Sequence, residues 1–188
     1  MSREAADKTS KKSKTLDLVY CSIGAALIAV CSWISIPTEV PFTLQTFAVF
    51  LVLLLLGGKR GTIATAVYIL LGAVGAPVFA GFKAGAGVLL GSTGGYIFGF
   101  LFIGLIYIFF TSLLKDNIVI KLAALVLGLV VCYAFGTAWF MYVYLKNTGD
   151  VGLLTVLGWC VFPFIIPDLL KMTIAAVIAK RIEPVIKK

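Results

Sequence analysis

Histidine is absent from the sequence, and no acidic cluster or serine elbow takes its place, so conventional hydrolytic chemistry has no evident base or activated nucleophile. Catalysis is the weaker class of function. The four cysteines, Cys21, Cys31, Cys132 and Cys160, lack CxxC spacing and fall within apolar stretches. That pattern excludes a conventional zinc set and reads as small buried hydrophobes. No GxxxxGK[ST] is present, so ATP is not bound through a P-loop, and the run GAGVLLG lacks the strand and helix of a dinucleotide fingerprint. Charge is scarce as well: 13% of the 188 residues are charged against 61% hydrophobic. The mean hydropathy is +1.10, so a lipid bilayer, not water, is the main solvent.

What is present is a series of apolar runs. A membrane helix takes roughly 20 apolar residues to cross about 30 Å of hydrocarbon, which leaves room for about six spans. The polar start, residues 1–14, has no short apolar core with a small-residue cleavage site and reads as a flexible cytosolic tail; residues 15–188 read as the membrane domain. The first span covers Leu16 to Ile36 and stops at Pro37 and Pro41. A short polar corner leads to a second, Thr43 to Leu56, a turn at Gly57–Gly61, and a third from Thr62 to about Val74. Gly75 to Gly95 is dense in glycine and reads as a nonhelical outer loop, a candidate lid or pocket wall. The fourth span is Tyr96 to Leu114, the fifth Ile118 to Leu145, and the sixth Val151 to Ala179, interrupted by Pro163 and Pro167 and starting along the surface. The expected fold is all-α: a polytopic protein of six transmembrane helices with a glycine-rich outer loop between the third and fourth.

Cations test the orientation, because cytosolic loops accumulate lysine and arginine. Of the 16 cations, 13 fall on the side of both termini, Lys59, Arg60, Lys115 and Lys121 among them; Lys83 and Lys146 fall on the other. Both termini are thus expected in the cytosol. The formal charge of +8 comes from residues flanking apolar runs, not from one stripe interleaved with aromatics, so nucleic acid is not an expected partner.

Lys171 belongs to neither side. It precedes the Lys180–Arg181 interface by nine residues, hence lies about 13 Å into the membrane at helical rise. A lysine at that depth requires a partner or a solvated pocket. Asp168 lies three residues earlier on the same helical face and follows Pro167, which reads as the first residue of a helix whose N-terminus favours a carboxylate. The two side chains either neutralise each other and fix packing, or receive a small ligand: Lys171 its anionic group, Asp168 its N–H donors. These readings are compatible. Thr43, Gln45 and Thr46 form a second polar cluster; helix capping suits Thr43 well and Gln45 poorly. Phe79, Phe82 and Tyr96 bracket the glycine-rich stretch as possible cover for an apolar ligand. Ala25 and Ala29, and Gly91, Gly95 and Gly99, are spaced by four, a pattern that lets other backbones approach closely.

The run from Pro41 to Phe100, with TLQT, LLGGKRG, GAPVFAG and GSTGGY, and the later PDLLK at Pro167 to Lys171, resemble the BioY family of biotin-capturing S components of energy-coupling-factor transporters. Ser92 departs from the pattern, standing where family members usually carry proline. The resemblance implies a bacterial cell membrane protein that binds biotin near the outer face. It implies docking on a transmembrane coupling subunit and two cytosolic ATPases, with no cofactor in this chain because ATP is used by those partners. It implies that Lys171, Asp168, Gln45, Thr43, Phe79 and Tyr96 meet the ligand, and that Ala25 and Ala29 contact the coupling subunit. A stand-alone proton-coupled carrier of a small organic anion, with Asp168 as proton relay, is the alternative reading of the same residues.

Overall fold

A computed structural model describes the backbone of residues 3–38, 40–114 and 117–186, and the side chains of 14–38, 40–114 and 117–184. Sequence expectations that rest on Glu39, Lys115, Asp116, Lys187 and Lys188, or on side chains of residues 1–13, fall outside the described residues. Helix α1 (Arg3–Trp33) leads into a two-residue strand pair, β1 (Ser35–Ile36) and β2 (Phe42–Thr43), antiparallel with Ser35 opposite Thr43. There follow α2 (Gln45–Ala73), a 3₁₀ turn (Ala80–Phe82), α3 (Ala86–Leu90), α4 (Gly94–Leu113), α5 (Ile118–Asn147), α6 (Leu153–Cys160) and α7 (Phe162–Ile186). Among the described residues, five helical stretches are long and apolar enough to cross a membrane: Lys14–Trp33, Gln45–Ala73, Gly94–Leu113, Ile118–Asn147 and Leu153–Pro184. The chain is a multi-pass membrane protein.

α2 is not straight. Gly57 has φ 79° and ψ 169°, a conformation that L side chains rarely adopt. Residues 45 and 68 would lie about 34 Å apart along an unbroken helix. Instead the Gln45 Nε2 donates to the Tyr68 hydroxyl at 2.5 Å. A Cβ on Gly61 would lie 2.9 Å from the Cα of Leu53, eight residues back. The chain therefore doubles back at Gly57, a single-residue reversal where the sequence suggested a turn of five; Lys59 and Arg60 are already helical.

This hairpin is the centre of the bundle: α1, α4 and α7 all pack on it, and α5 packs on α4. Glycine sets the α4–α5 spacing. A Cβ on Gly95 would lie 2.3 Å from that of Trp139, and one on Gly99 2.5 Å from the Cys132 sulfur. Two of the three glycines spaced by four thus do admit a neighbouring helix. Gly91 precedes α4 and does not. All four cysteines are buried.

Several expectations need correction. The polar start has a helical backbone within α1 from Arg3, where the sequence suggested a flexible tail. The stretch from Gly75 to Gly95 is not wholly nonhelical: it contains the 3₁₀ turn and α3, and α4 begins at Gly94. Ala25 and Ala29 are not available as a partner contact, being 3% and 6% exposed in the core shared with Ile28, Ala48 and Val49. The reason is steric: the neighbouring Gly24 already touches Ala64 and Val52 of α2, so the small-residue face of α1 is filled by this chain's own hairpin. The exposed face of α1 carries Ser22, Ile23, Ala26 and Val30.

Candidate functional site

Where β2 enters α2, the hairpin opening meets the segment between α2 and α4, the start of α4, and the middles of α5 and α7. A cavity of about 480 Å³ lies there, a size typical of small-molecule sites. Its wall includes Thr43, Gln45, Phe79, Tyr96, Asp168 and Lys171, so all six side chains singled out as ligand-binding in the sequence converge on it from four separate regions. A second cavity, about 580 Å³, is lined by Leu54–Gly58, Tyr107, Arg60, Lys121 and Glu183 and gathers none of them. There Arg60 pairs with Asp17 of α1 at 2.5 Å.

Asp168 and Lys171 are 1% and 7% exposed. Two charges this deep persist only if each is paired and hydrogen-bonded. They are. The Lys171 ammonium donates to Asp168 Oδ1 at 2.9 Å, to the Thr43 carbonyl at 2.7 Å and to Thr46 Oγ1 at 3.2 Å, and sits 4.2 Å from the centre of the Phe42 ring. An ammonium has three N–H donors, and these contacts use all three. The Thr46 hydroxyl donates to Asp168 Oδ1 at 2.8 Å, and the Tyr133 hydroxyl donates to Oδ2 at 2.6 Å. One carboxylate thus ties α2, α5 and α7 together.

The i,i+3 geometry of the pair follows the sequence reading, but its helix start does not. Pro167 lies inside α7, which begins at Phe162, so Asp168 is more than a turn from the helix N-terminus and draws nothing from it. Pro163 takes the first-turn place instead, where proline's missing N–H has no partner to lose. Asp168 is held by side chains.

Thr43 is the last residue of β2. Its hydroxyl accepts the Gln45 N–H at 3.2 Å and donates to Gln45 Oε1 at 3.1 Å, but the N-cap of α2 is Leu44, so Thr43 is not the helix cap that the sequence suggested. With Nε2 on Tyr68, the carboxamide of Gln45 is fixed in one orientation. Phe79 is 1% exposed overall and meets Tyr68 edge-on at 5.6 Å; its ring fills the space over Gly72, where a Cβ would lie 2.0 Å away. The Tyr96 hydroxyl bonds Thr137 at 3.1 Å. Phe82, by contrast, is 62% exposed and stacks on Trp33 at 5.1 Å, away from the cavity. It does not cover the site.

Three contributors escaped the sequence reading. Tyr133 and Tyr68 sit within apolar helices, where nothing separates a site tyrosine from a packing one. Lys83, exposed on the segment between the 3₁₀ turn and α3, also lines the cavity. Its signal was its rarity, one of two cations on its side, and it was read only as topology.

The fold resembles the crystal structure of the S-component for biotin from an ECF-type ABC transporter, with a TM-score of 0.80 and 29% identity over 92% of this chain and 93% of that one. The biotin transporter BioY of Thermotoga maritima is 46% identical over 167 residues, 88% of this chain and 95% of the relative. A probable biotin transporter BioY of Pyrococcus horikoshii is 38% identical over 173 residues, 92% and 98% of the two chains. Residues 5–188 match the BioY family, and the chain belongs to it.

Proposed function

We propose that this chain is the substrate-capture subunit of a biotin uptake system: it binds biotin from outside a bacterial cell and delivers it together with an ATP-driven energising module. The observation that carries the reading is the buried Asp168–Lys171–Thr46–Tyr133 network on the wall of a cavity of about 480 Å³, in a chain whose relatives are biotin transporters. The solved relative, an S-component of an ECF-type ABC transporter, supports a transmembrane coupling subunit and two cytosolic ATPases as partners. The two arms of the α2 hairpin count as separate spans, making six. The 13-to-2 cation asymmetry supports an orientation with both termini, the tail 1–14 included, in the cytosol and the cavity toward the outside. Catalysis and a resident cofactor have no part in this reading.

Biotin carries a carboxylate, a cyclic urea with two N–H groups and a carbonyl, and an apolar sulfur ring. Asp168 accepts one urea N–H, Gln45 and Thr43 border the urea, and Phe79 and Tyr96 cover the apolar ring. The carboxylate goes to Lys83, not to Lys171. The three donors of Lys171 are engaged and its charge is balanced by Asp168, whereas Lys83 is an exposed cation at the cavity's edge. Lys83→Gln is therefore expected to weaken biotin by about tenfold, the scale of one charge-assisted contact, while leaving the uncharged biotin amide unchanged; titration of both ligands checks it. Equal loss for acid and amide would remove Lys83 from this role.

Uptake tests the function. Proteoliposomes holding this chain with a coupling subunit and ATPases should accumulate labelled biotin on ATP addition, and the chain alone should not respond to a proton gradient. Gradient-driven accumulation by the chain alone would favour the stand-alone carrier with Asp168 as relay.

A further inference from the structure

Nothing in the relatives' names assigns a role to Tyr133, and the sequence alone does not mark it. It comes from the middle of α5, lines the cavity, and donates to Asp168 Oδ2 at 2.6 Å. The other carboxylate oxygen is occupied twice, by Thr46 and Lys171. Oδ2, which among the described residues accepts from Tyr133 alone, is therefore the oxygen through which a ligand can reach Asp168.

We propose that Tyr133 is a specificity-determining residue that reads, together with Asp168, the N–H and C=O edge of a cyclic urea. The inference rests on the biotin reading above and adds the identity of the carbonyl's partner. A carboxylate is acceptor-only and a phenol is both donor and acceptor, so the two oxygens form a donor–acceptor pair. In a cyclic urea the N–H and the C=O lie side by side on one edge, at close to the separation of these two oxygens. As the ring arrives, its N–H replaces the phenol as donor to Oδ2. The Tyr133 hydroxyl rotates about its C–O bond and donates to the urea oxygen. The Tyr133–Asp168 hydrogen bond thus has a successor at each oxygen, and no proton changes owner.

This predicts selection at the carbonyl atom, because a site built to donate to oxygen rejects an analogue that accepts poorly. The test is titration of the full chain, wild type and Tyr133→Phe, with biotin and with the analogue carrying sulfur in place of the urea oxygen. Wild type is expected to prefer biotin over the thio analogue. Tyr133→Phe, which keeps the ring and its packing, should lower biotin affinity about tenfold, one hydrogen bond's worth, and bring the two ligands close together. If the variant weakens both ligands alike, Tyr133 only steadies Asp168 and the proposal falls. An unchanged preference for oxygen overturns it equally. Failure of wild type to bind biotin at all would appear before any variant is made and would take the biotin reading first.

Discussion

Lys171→Ala should abolish biotin binding and lower the thermal midpoint together. Removing the ammonium leaves the Asp168 carboxylate at 1% exposure with no counter-charge and only the neutral Thr46 and Tyr133 hydroxyls as donors. Breaking one partner of a buried pair costs about 3–5 kcal/mol. The Thr43 carbonyl also loses its donor, so β2 loses its hydrogen bond to α7, while Thr46 still joins α2 to Asp168. Asp168→Ala should behave similarly, stranding the ammonium. The informative variant is the double replacement Asp168→Leu with Lys171→Met, which leaves no charge unpaired. Apolar replacements of buried pairs are often neutral or stabilising. Its melting temperature should return to near wild type while biotin titration still gives no signal. A double variant that is stable and still binds would show the pair to be structural only.

Gly94→Ala should cost at least about tenfold in biotin affinity, or about 1.4 kcal/mol, through the backbone alone. A Cβ there would lie 1.7 Å from the Leu89 carbonyl oxygen and 2.5 Å from its carbon. Neither atom is the end of a flexible side chain. Relief requires moving α3 away from the start of α4, and α3 contributes Gly87 and Val88 to the cavity wall. Gly158→Ala is the control: it lies within α6 and off the cavity wall, a Cβ would meet nothing within 4 Å, and affinity should change less than about twofold. Titration of both variants, with circular dichroism to confirm that helix content is kept, separates a displaced wall from a lost fold.

Asp168 and Lys171 were legible in the sequence because a bilayer makes charge conspicuous: a lysine nine residues inside the flanking cations of its own helix has few reasons to exist. The apolar runs were legible for the same reason. Lipid leaves backbone groups no partner but their own helix. What the sequence obscured were cases where two physical rules competed. Pro167 reads as a helix start by propensity, yet α7 is already under way because Pro163 occupies its first turn. Five residues around Gly57 read as a loop, yet reversal needs only one residue with positive φ. Ala25 and Ala29 have the spacing of a docking face, and spacing does not say whether the docked helix is foreign or the chain's own. Tyr133 was invisible because its significance lies in a 2.6 Å contact with a residue 35 positions away, and an isolated phenol in an apolar helix is more often packing. Lys171 shows the limit of chemistry by inventory, which offered it to the ligand's carboxylate: its three donors are engaged by Asp168, Thr43 and Thr46, contacts that no sequence pattern reveals.

The most direct measurement is a calorimetric titration of the purified full chain with biotin, run beside Asp168→Asn, which keeps the shape of the side chain and removes its charge. Saturable, tight binding of one biotin per chain, lost in Asp168→Asn, is the predicted result. Absence of saturable binding to wild type, or an affinity that Asp168→Asn leaves unchanged, would contradict it.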